Sequence, residues 1–300
     1  MSISLTLGDR AENHFGMQLI GNLSKQGFTL KDLKQIENKF SRKNVECEFI
    51  NLKDYLDDEY KKEAQEGGIL IIRNGINFLL NYRHDNDNGN DNDNDNDNDN
   101  DNDNDNDNDN SIITYNSNDM LREQLNLVWD KQYLDKNKYR TEIVNGQEIK
   151  IRGKILNKRA RYNLCYGNVH QDADIKNGKG TIIGFNEVPI TTLWKESISK
   201  FIGKKAENLV IEGNYYYNMR RCGIGFHGDA ERKKVIAGSL GESKPIHWQW
   251  YQRSEPIGRR IKCQLNDGDM YIMSEKATGF DWKLKTKLTV RHAAGSNFVN

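Results

Sequence analysis

An α+β fold is what this sequence predicts: a strand-rich C-terminal domain, a sandwich or barrel with flanking helices, preceded by a small α/β domain. Three observations carry the prediction. Residues 208–291 break into short strand-like runs separated by turn residues. Segments upstream of them carry apolar residues at helical spacing. Between the two halves, residues 85–110 are an Asp/Asn repeat holding twelve aspartates and no Lys or Arg. Such a tract has nothing to bury and repels itself, so it reads as a disordered insert. The chain therefore divides into residues 1–84, 85–110 and 111–300.

In the first part, Ser4 to Thr6 lies in an apolar-rich start. Leu30, Leu33, Ile36 and Phe40 predict a helix over 29–40. Val45, Cys47 and Phe49 alternate with Glu46 and Glu48, which predicts a strand over 45–50. Residues 68–72, Gly-Ile-Leu-Ile-Ile, read as a short buried strand ended by Asn74-Gly75. His14 stands alone there, and no catalytic constellation surrounds it.

In the last part, Leu121, Leu125 and Val128 predict a helix over 118–134, with Asn118 or Asp119 able to cap it. Trp194, Ile198 and Phe201 form the stripe of a second helix over 192–202, stopped by Gly203. Strand-like runs follow at 208–217, 234–240, 245–251, 260–265, 270–273 and 285–291.

Composition narrows the function classes. The zero net charge hides an uneven distribution: residues 1–84 are neutral, whereas residues 111–300 hold 32 basic against 20 acidic side chains, a net +12. That surplus suits a polyanion partner or ordinary solvation equally. Cys47, Cys165, Cys222 and Cys263 are scattered without a C-x-x-C pair, which argues against a zinc knuckle or a disulfide framework. No apolar run approaches the ~20 residues that cross a bilayer, and no basic-then-apolar leader opens the chain. The expectation is an intracellular protein, nuclear or cytoplasmic, with no membrane partner.

The residues that carry chemistry begin at Gly225-Phe226-His227-Gly228-Asp229. His227 and Asp229 are two apart, so on a strand they point the same way and can grip one metal ion through an imidazole nitrogen and a carboxylate oxygen. With a third ligand from a distant strand they would form a facial triad that leaves positions open for substrate and dioxygen.

Around this triplet stand Asn214-Tyr215-Tyr216-Tyr217, then Ser239-Leu240-Gly241, then Asp267-Gly268-Asp269, then Leu288-Thr289-Val290-Arg291, with Arg159-Ala160-Arg161-Tyr162 and Tyr166 upstream. The order resembles the AlkB-like Fe(II)/2-oxoglutarate dioxygenases, over roughly residues 120–296. The resemblance implies a double-stranded β-helix (jelly-roll) in the C-terminal domain, with Fe(II) and 2-oxoglutarate as cofactors. It implies that His227 and Asp229 bind iron and are catalytic. Asn214 and Tyr216 would hydrogen-bond 2-oxoglutarate, and Arg291 would pair with one of its carboxylates through a forked guanidinium. Lys285 stands where the family often has another arginine.

No histidine follows the Gly268-Asp269 strand where the family has its third ligand. Asp281 lies near that point and His292 follows Arg291. We take His292, because imidazole is the more usual ligand, although neighbours on a strand face opposite sides and Arg291 and His292 would both be needed. His247 is read as a sheet residue. The resemblance also implies oxidative demethylation of an alkylated DNA or RNA base, flipped out or single-stranded. Arg159, Arg161, Tyr162 and Tyr166 would then contact the nucleic acid. A hydroxylase of protein side chains or small molecules is the second reading, and a non-catalytic binding module the third.

Overall fold

A computed structural model describes residues 1–14, 18–82, 114–131, 139–152, 161–174 and 177–295. The Asp/Asn repeat at 85–110 and Arg159 lie outside them. The elements run in the order β1 (Ser2–Gly8), β2 (Arg10–Asn13), β3 (Gln18–Gly21), α1 (Leu30–Ser41), β4 (Cys47–Asn51), α2 (Asp58–Lys61), β5 (Gly68–Ile72) and α3 (Gly75–Asn81). After the repeat come α4 (Ser117–Leu125), β6 (Tyr139–Val144), β7 (Gln147–Arg152), β8 (Tyr162–Gly167), β9 (Ile182–Gly184), α5 (Pro189–Ile202) and β10 (Val210–Tyr216). The chain continues with β11 (Ile224–His227), β12 (Val235–Gly241), β13 (Lys244–Gln252), β14 (Glu255–Leu265), β15 (Met270–Met273), α6 (Glu275–Thr278) and β16 (Thr289–Ala294).

The result is a mixed α+β structure dominated by two sheets. One has eight strands in the order β4-β5-β15-β12-β1-β10-β8-β9, and the other has four in the order β11-β16-β13-β14. Period-two alternation builds three layers from them. On β5, Leu70 and Ile72 join the core under the helices, while Ile69 and Ile71 join the core between the sheets. A strand covered on both faces reads as an unbroken apolar run, which is why residues 68–72 look as they do. The helical layer supplies Leu33, Ile36 and Phe40 from α1, Ile76 and Leu79 from α3, and Trp194, Ile198 and Phe201 from α5. Trp248, Trp250 and Val290 fill the space between the sheets.

The structure corrects the division at residue 84. Strand β1 is hydrogen-bonded between β10 and β12, pairing Ser4 with Asn214 on one side and Ser239 on the other. Strand β5 pairs with β15. The first part of the chain is thus woven into the same sheet as the last part. The composition break at the repeat marks an insertion within one sheet, not a border between two cores.

Smaller differences have local causes. Thr29 caps α1 in a reciprocal box with Asp32, which starts the helix one residue after the expected point. Asn116 caps α4 in the same way, and the helix ends at Leu125, well short of 134. The strand expected at 285–291 occupies Thr289–Ala294 instead, because residues 281–287 are turns. Among the described residues no helix is long and apolar enough to cross a membrane.

One prediction follows from the shared sheet. A truncated chain of residues 111–300 lacks β1, β4 and β5 and should show no cooperative unfolding transition in urea, whereas the full chain should show one. In the full chain, Leu5→Ala should cost about 2–5 kcal/mol, the usual range for emptying a closed core position.

Candidate metal centre

Strands β11 and β16 are neighbours, and His227 pairs in register with His292. Both imidazoles therefore stand on one face, beside Asp229, which follows β11 directly. His227, Asp229 and His292 each offer a ligand atom, and these atoms all lie within 4.8 Å of one another. Nε2 of His227 is 3.8 Å from Oδ1 of Asp229, and Nε2 of His292 is 3.5 Å from the same oxygen. The two rings are 4.4 Å apart.

The residues around the triad fix its orientation. Nδ1 of His227 and the carbonyl oxygen of Gly225 are 2.8 Å apart. If Nδ1 carries the proton and donates it there, the Nε2 lone pair is left facing the cluster. Burial and the neighbouring His292 push the His227 imidazole down to about 3, so it is neutral at physiological pH. Burial pushes the Asp229 carboxyl upward, but Arg232, His292 and His227 outweigh that and hold it well below the usual carboxylate range. Two imidazoles and one carboxylate are a donor set that fits a divalent transition metal.

Arg232 is buried and ties this carboxylate to the wall. Its Nε donates to Glu231 at 2.9 Å and lies 3.6 Å from Oδ2 of Asp229, and its Nη2 donates to both Glu212 and Glu231. Glu212 is buried too. Desolvation favours its neutral form, yet Arg232, His14 and Arg161 hold its carboxyl well below the ordinary value. Arg161 donates from Nε to Oδ1 of Asn214 at 2.6 Å, and Asn214 donates to Glu212 at 3.0 Å.

The glycine between the ligands is a packing requirement. A Cβ at Gly228 would meet the carbonyl of Gly279 and lie 2.6 Å from the Trp282 ring. Gly279 itself has φ +72°, a backbone that favours glycine. The loop carrying Asp229 can seat against the 279–282 turn only with both glycines in place.

Two cavities, an inner and an outer, adjoin His227 and Asp229, and His292 lines the inner of them. The inner one is lined by Ser4 and Thr6 of β1, Asn214 and Tyr216 of β10, Lys244 and Ile246 of β13, and Tyr271 and Met273 of β15. The outer one is lined by Glu12, His14, Glu231, Trp282 and Lys283. His227, Asp229, Arg161, Glu212 and Arg232 border both.

Several expected residues stand here and several do not. His227, Asp229 and His292 meet, and Asn214 and Tyr216 line the inner cavity. Asp281 is held elsewhere, 2.6 Å from the Lys276 ammonium. Arg291 faces away. The β13–β16 register is unbroken from Ile246 to Tyr251, so His292 and Arg291 lie on opposite faces, with no bulge to turn both inward. Arg291 instead stacks 4.1 Å from the Tyr251 ring centre on the outer face of the small sheet. Lys285 is exposed in a turn, distant from the cavity lining. His247 alternates away from the triad, as a sheet residue should.

Of the residues put forward for nucleic acid, Arg159 lies outside the described residues and the other three have partners within the chain. Arg161 is buried against Asn214. Tyr166 is wholly buried, its hydroxyl bonded to Gln124. Tyr162 stacks on Tyr217 at 4.5 Å. Sequence reasoning overlooked Lys244, Arg232 and Glu212. Arg232 follows Asp229 at a distance of three, a signal available but unread; Lys244 has none, since a lysine before a strand is ordinarily solvated.

The chain is 35% identical over 294 residues, 98% of its length and 95% of the other protein, to "Uncharacterized protein R156" of Acanthamoeba polyphaga mimivirus. It belongs to that protein's family. No protein-family model matches the chain.

The glycine contact generates a test. Gly228→Ala should lower the thermal midpoint by several degrees and weaken Mn(II) binding at least tenfold, because Asp229 must move to relieve the clash; calorimetry of both proteins checks it.

Proposed function

We propose that the chain is an Fe(II)/2-oxoglutarate-dependent dioxygenase of the AlkB-like kind. The observation that carries the reading is the convergence of His227, Asp229 and His292 beside two cavities inside a sandwich. The strand path supports it as well. From β10 to β16 the chain passes from the large sheet to the small one and back repeatedly, and β1 supplies an eighth strand beside β10 and β12. Four strands in each of two facing sheets, connected this way, are what a jelly roll requires. In this reading β1, early in the sequence, does the work of the roll's closing strand.

When bound, iron and 2-oxoglutarate would supply dioxygen activation, with succinate and carbon dioxide as products. The protein's own residues do the rest. His227 and His292 present imidazole nitrogens on one face. The nearby charge of Arg232 keeps Asp229 ionised, and Oδ1 of Asp229 faces the imidazoles. Asn214 has one amide hydrogen left after bonding Glu212, and it borders the inner cavity beside Tyr216. The non-catalytic reading was motivated by the missing histidine after Gly279, and the cluster of His227, Asp229 and His292 weighs against it.

The resemblance implies oxidative dealkylation of a nucleic-acid base. One observation favours the second reading, a protein side chain or small molecule as substrate. The outer cavity carries Glu12 and Glu231. Burial and neighbouring carboxylates push Glu12 up to about 7. These two acidic side chains offer a phosphate backbone no counter-charge, and the largely uncharged Glu12, with Trp282 and Lys283 in the same lining, suits a compact partner.

His292→Ala should abolish stoichiometric Mn(II) binding by calorimetry, and Asp281→Ala should leave it within about threefold of the parent. Purified, Fe(II)-loaded parent protein should convert 2-oxoglutarate to succinate. Failure of both would reject the dioxygenase reading. Oligonucleotide binding that weakens steeply between 50 and 200 mM salt, about 10³-fold or more, would restore nucleic acid as the substrate.

A further inference from the structure

The small sheet has two faces, and the triad stands on the inner one, where His292 pairs with the core residue Trp248. By alternation His247, Gln249 and Tyr251 of β13 point the other way. Lys262 of β14 pairs with His247, and Arg291 of β16 pairs with Gln249, so these side chains share the outer face. Arg260 reaches across that face to the Phe226 ring, 5.2 Å away, and Arg291 lies over Tyr251 and Trp282.

Three cations thus crowd one surface, and among the described residues none of them forms an ion pair. Arg232 and Lys276, by contrast, are paired with carboxylates. Beside Arg260 and Lys262, His247 is only 6% exposed, and neither of its ring nitrogens has a hydrogen-bond partner. The buried Nε of Arg291 lacks one as well. Burial and the two neighbouring cations push His247 down, so its imidazole is neutral and offers one N–H. Glu255, near Tyr251, is an acidic side chain at the rim. Buried donors without acceptors are costly, and a ligand that accepts their hydrogens relieves the cost.

The acceptor this face calls for is an anion with repeated charges. Arg260 and Lys262 alternate along β14, so their Cα atoms stand ~6.8 Å apart, two strand rises. An extended chain with aspartate at every second position repeats its carboxylates at the same ~6.8 Å on one side. Phosphates of a single strand recur at a similar distance, so spacing alone does not decide between them. The rings do: Phe226, Tyr251 and Trp282 are covered by the protein's own guanidiniums, which leaves bases no platform to stack on. The chain itself holds the other kind of anion. Residues 91–110 alternate Asp and Asn, and the twelve aspartates of 85–110 equal the surplus of +12 in residues 111–300.

We propose that the Asp/Asn repeat of residues 85–110 docks on the outer face of the small sheet, its carboxylates paired with Arg260, Lys262 and Arg291. The inference goes beyond the dioxygenase reading and does not rest on it. The reach is sufficient. Residues 83–113 join the described ends at Tyr82 and Thr114, beside helices α3 and α4. Half of that stretch spans ~50 Å when extended, against three layers stacked roughly 10 Å apart. Each exposed pair is weak, but covalent attachment raises the repeat's effective concentration at the face.

The test compares the full chain with one whose twelve repeat aspartates are changed to serine. A fluorescent peptide with the sequence of residues 91–110 is titrated into each at about 50 mM salt, where surface charge is only lightly screened. The serine chain should bind the peptide, and the parent should bind it at least about tenfold more weakly, because its own repeat holds the face. In the serine chain, Arg260→Gln with Lys262→Gln should weaken the peptide at least about tenfold, whereas Lys31→Gln with Lys34→Gln on α1 should keep it within about threefold. Lys262→Gln alone is used if the first pair fails to fold. Equal binding by parent and serine chain, no binding by either, or equal loss in both pairs of variants overturns the proposal. So does a single-stranded oligothymidylate that displaces the peptide from the face at a lower concentration than unlabelled peptide does, which would assign the face to polyphosphates. A parent that elutes as a dimer while the serine chain elutes as a monomer would overturn docking within one chain and place the repeat on a second copy.

Discussion

Seven residues, Ser2–Gly8, are inserted between β10 and β12, and the candidate site depends on that insertion. Their backbone groups satisfy both neighbours at once, so the large sheet is continuous instead of split at its middle. Their side chains divide the work by parity. Ile3, Leu5 and Leu7 face the helices, while Ser4 and Thr6 line the inner cavity and Ser2 bonds Lys244. One short strand thus sets the spacing between the strand that carries Asn214 and Tyr216 and the strand that carries Ser239.

Around the triad, charge is managed by burial in pairs. Glu212, Arg232 and Asp229 are each costly to bury alone, and each is tolerable because the others are present. Breaking such a chain leaves an uncompensated charge, so its members are best regarded as one structural unit. Gly228 and Gly279 let the two loops that hold this unit approach backbone to backbone.

The sequence disclosed the parts of the site that are local. His227 and Asp229 were legible because their two-residue spacing keeps an imidazole and a carboxylate close, although β11 ends at His227 and Asp229 reaches the site from the following loop. His292 was legible from chemistry, as the remaining imidazole near the last strand. Arg291 misled, because a Leu-Thr-Val-Arg run names a strand without saying which side faces the metal; the side follows from register with β13, a relation between residues more than forty apart. The helix over 192–202 was visible through its stripe, and its extra turn at Pro189 follows from proline's preference for the first helical positions. The Asn145-Gly146 pair, both with positive φ, marks the β6–β7 hairpin and went unread. The place of β1 was invisible, since its partners lie over two hundred residues away. The low-complexity repeat made the error worse by suggesting a border where the sheet has none.

That long separation has a consequence for how the molecule is made. A ribosome delivers Ser2–Gly8 early, but neither β10 nor β12 exists until some two hundred further residues have been added. Until then its alternating Ile3, Leu5 and Leu7 have no partner strands. Loop closure over such a span is slow, and unpaired apolar strands invite association with other chains in the interval. In the growing chain the apolar face of β1 therefore stays uncovered by its sheet neighbours until β10 and β12 have followed it.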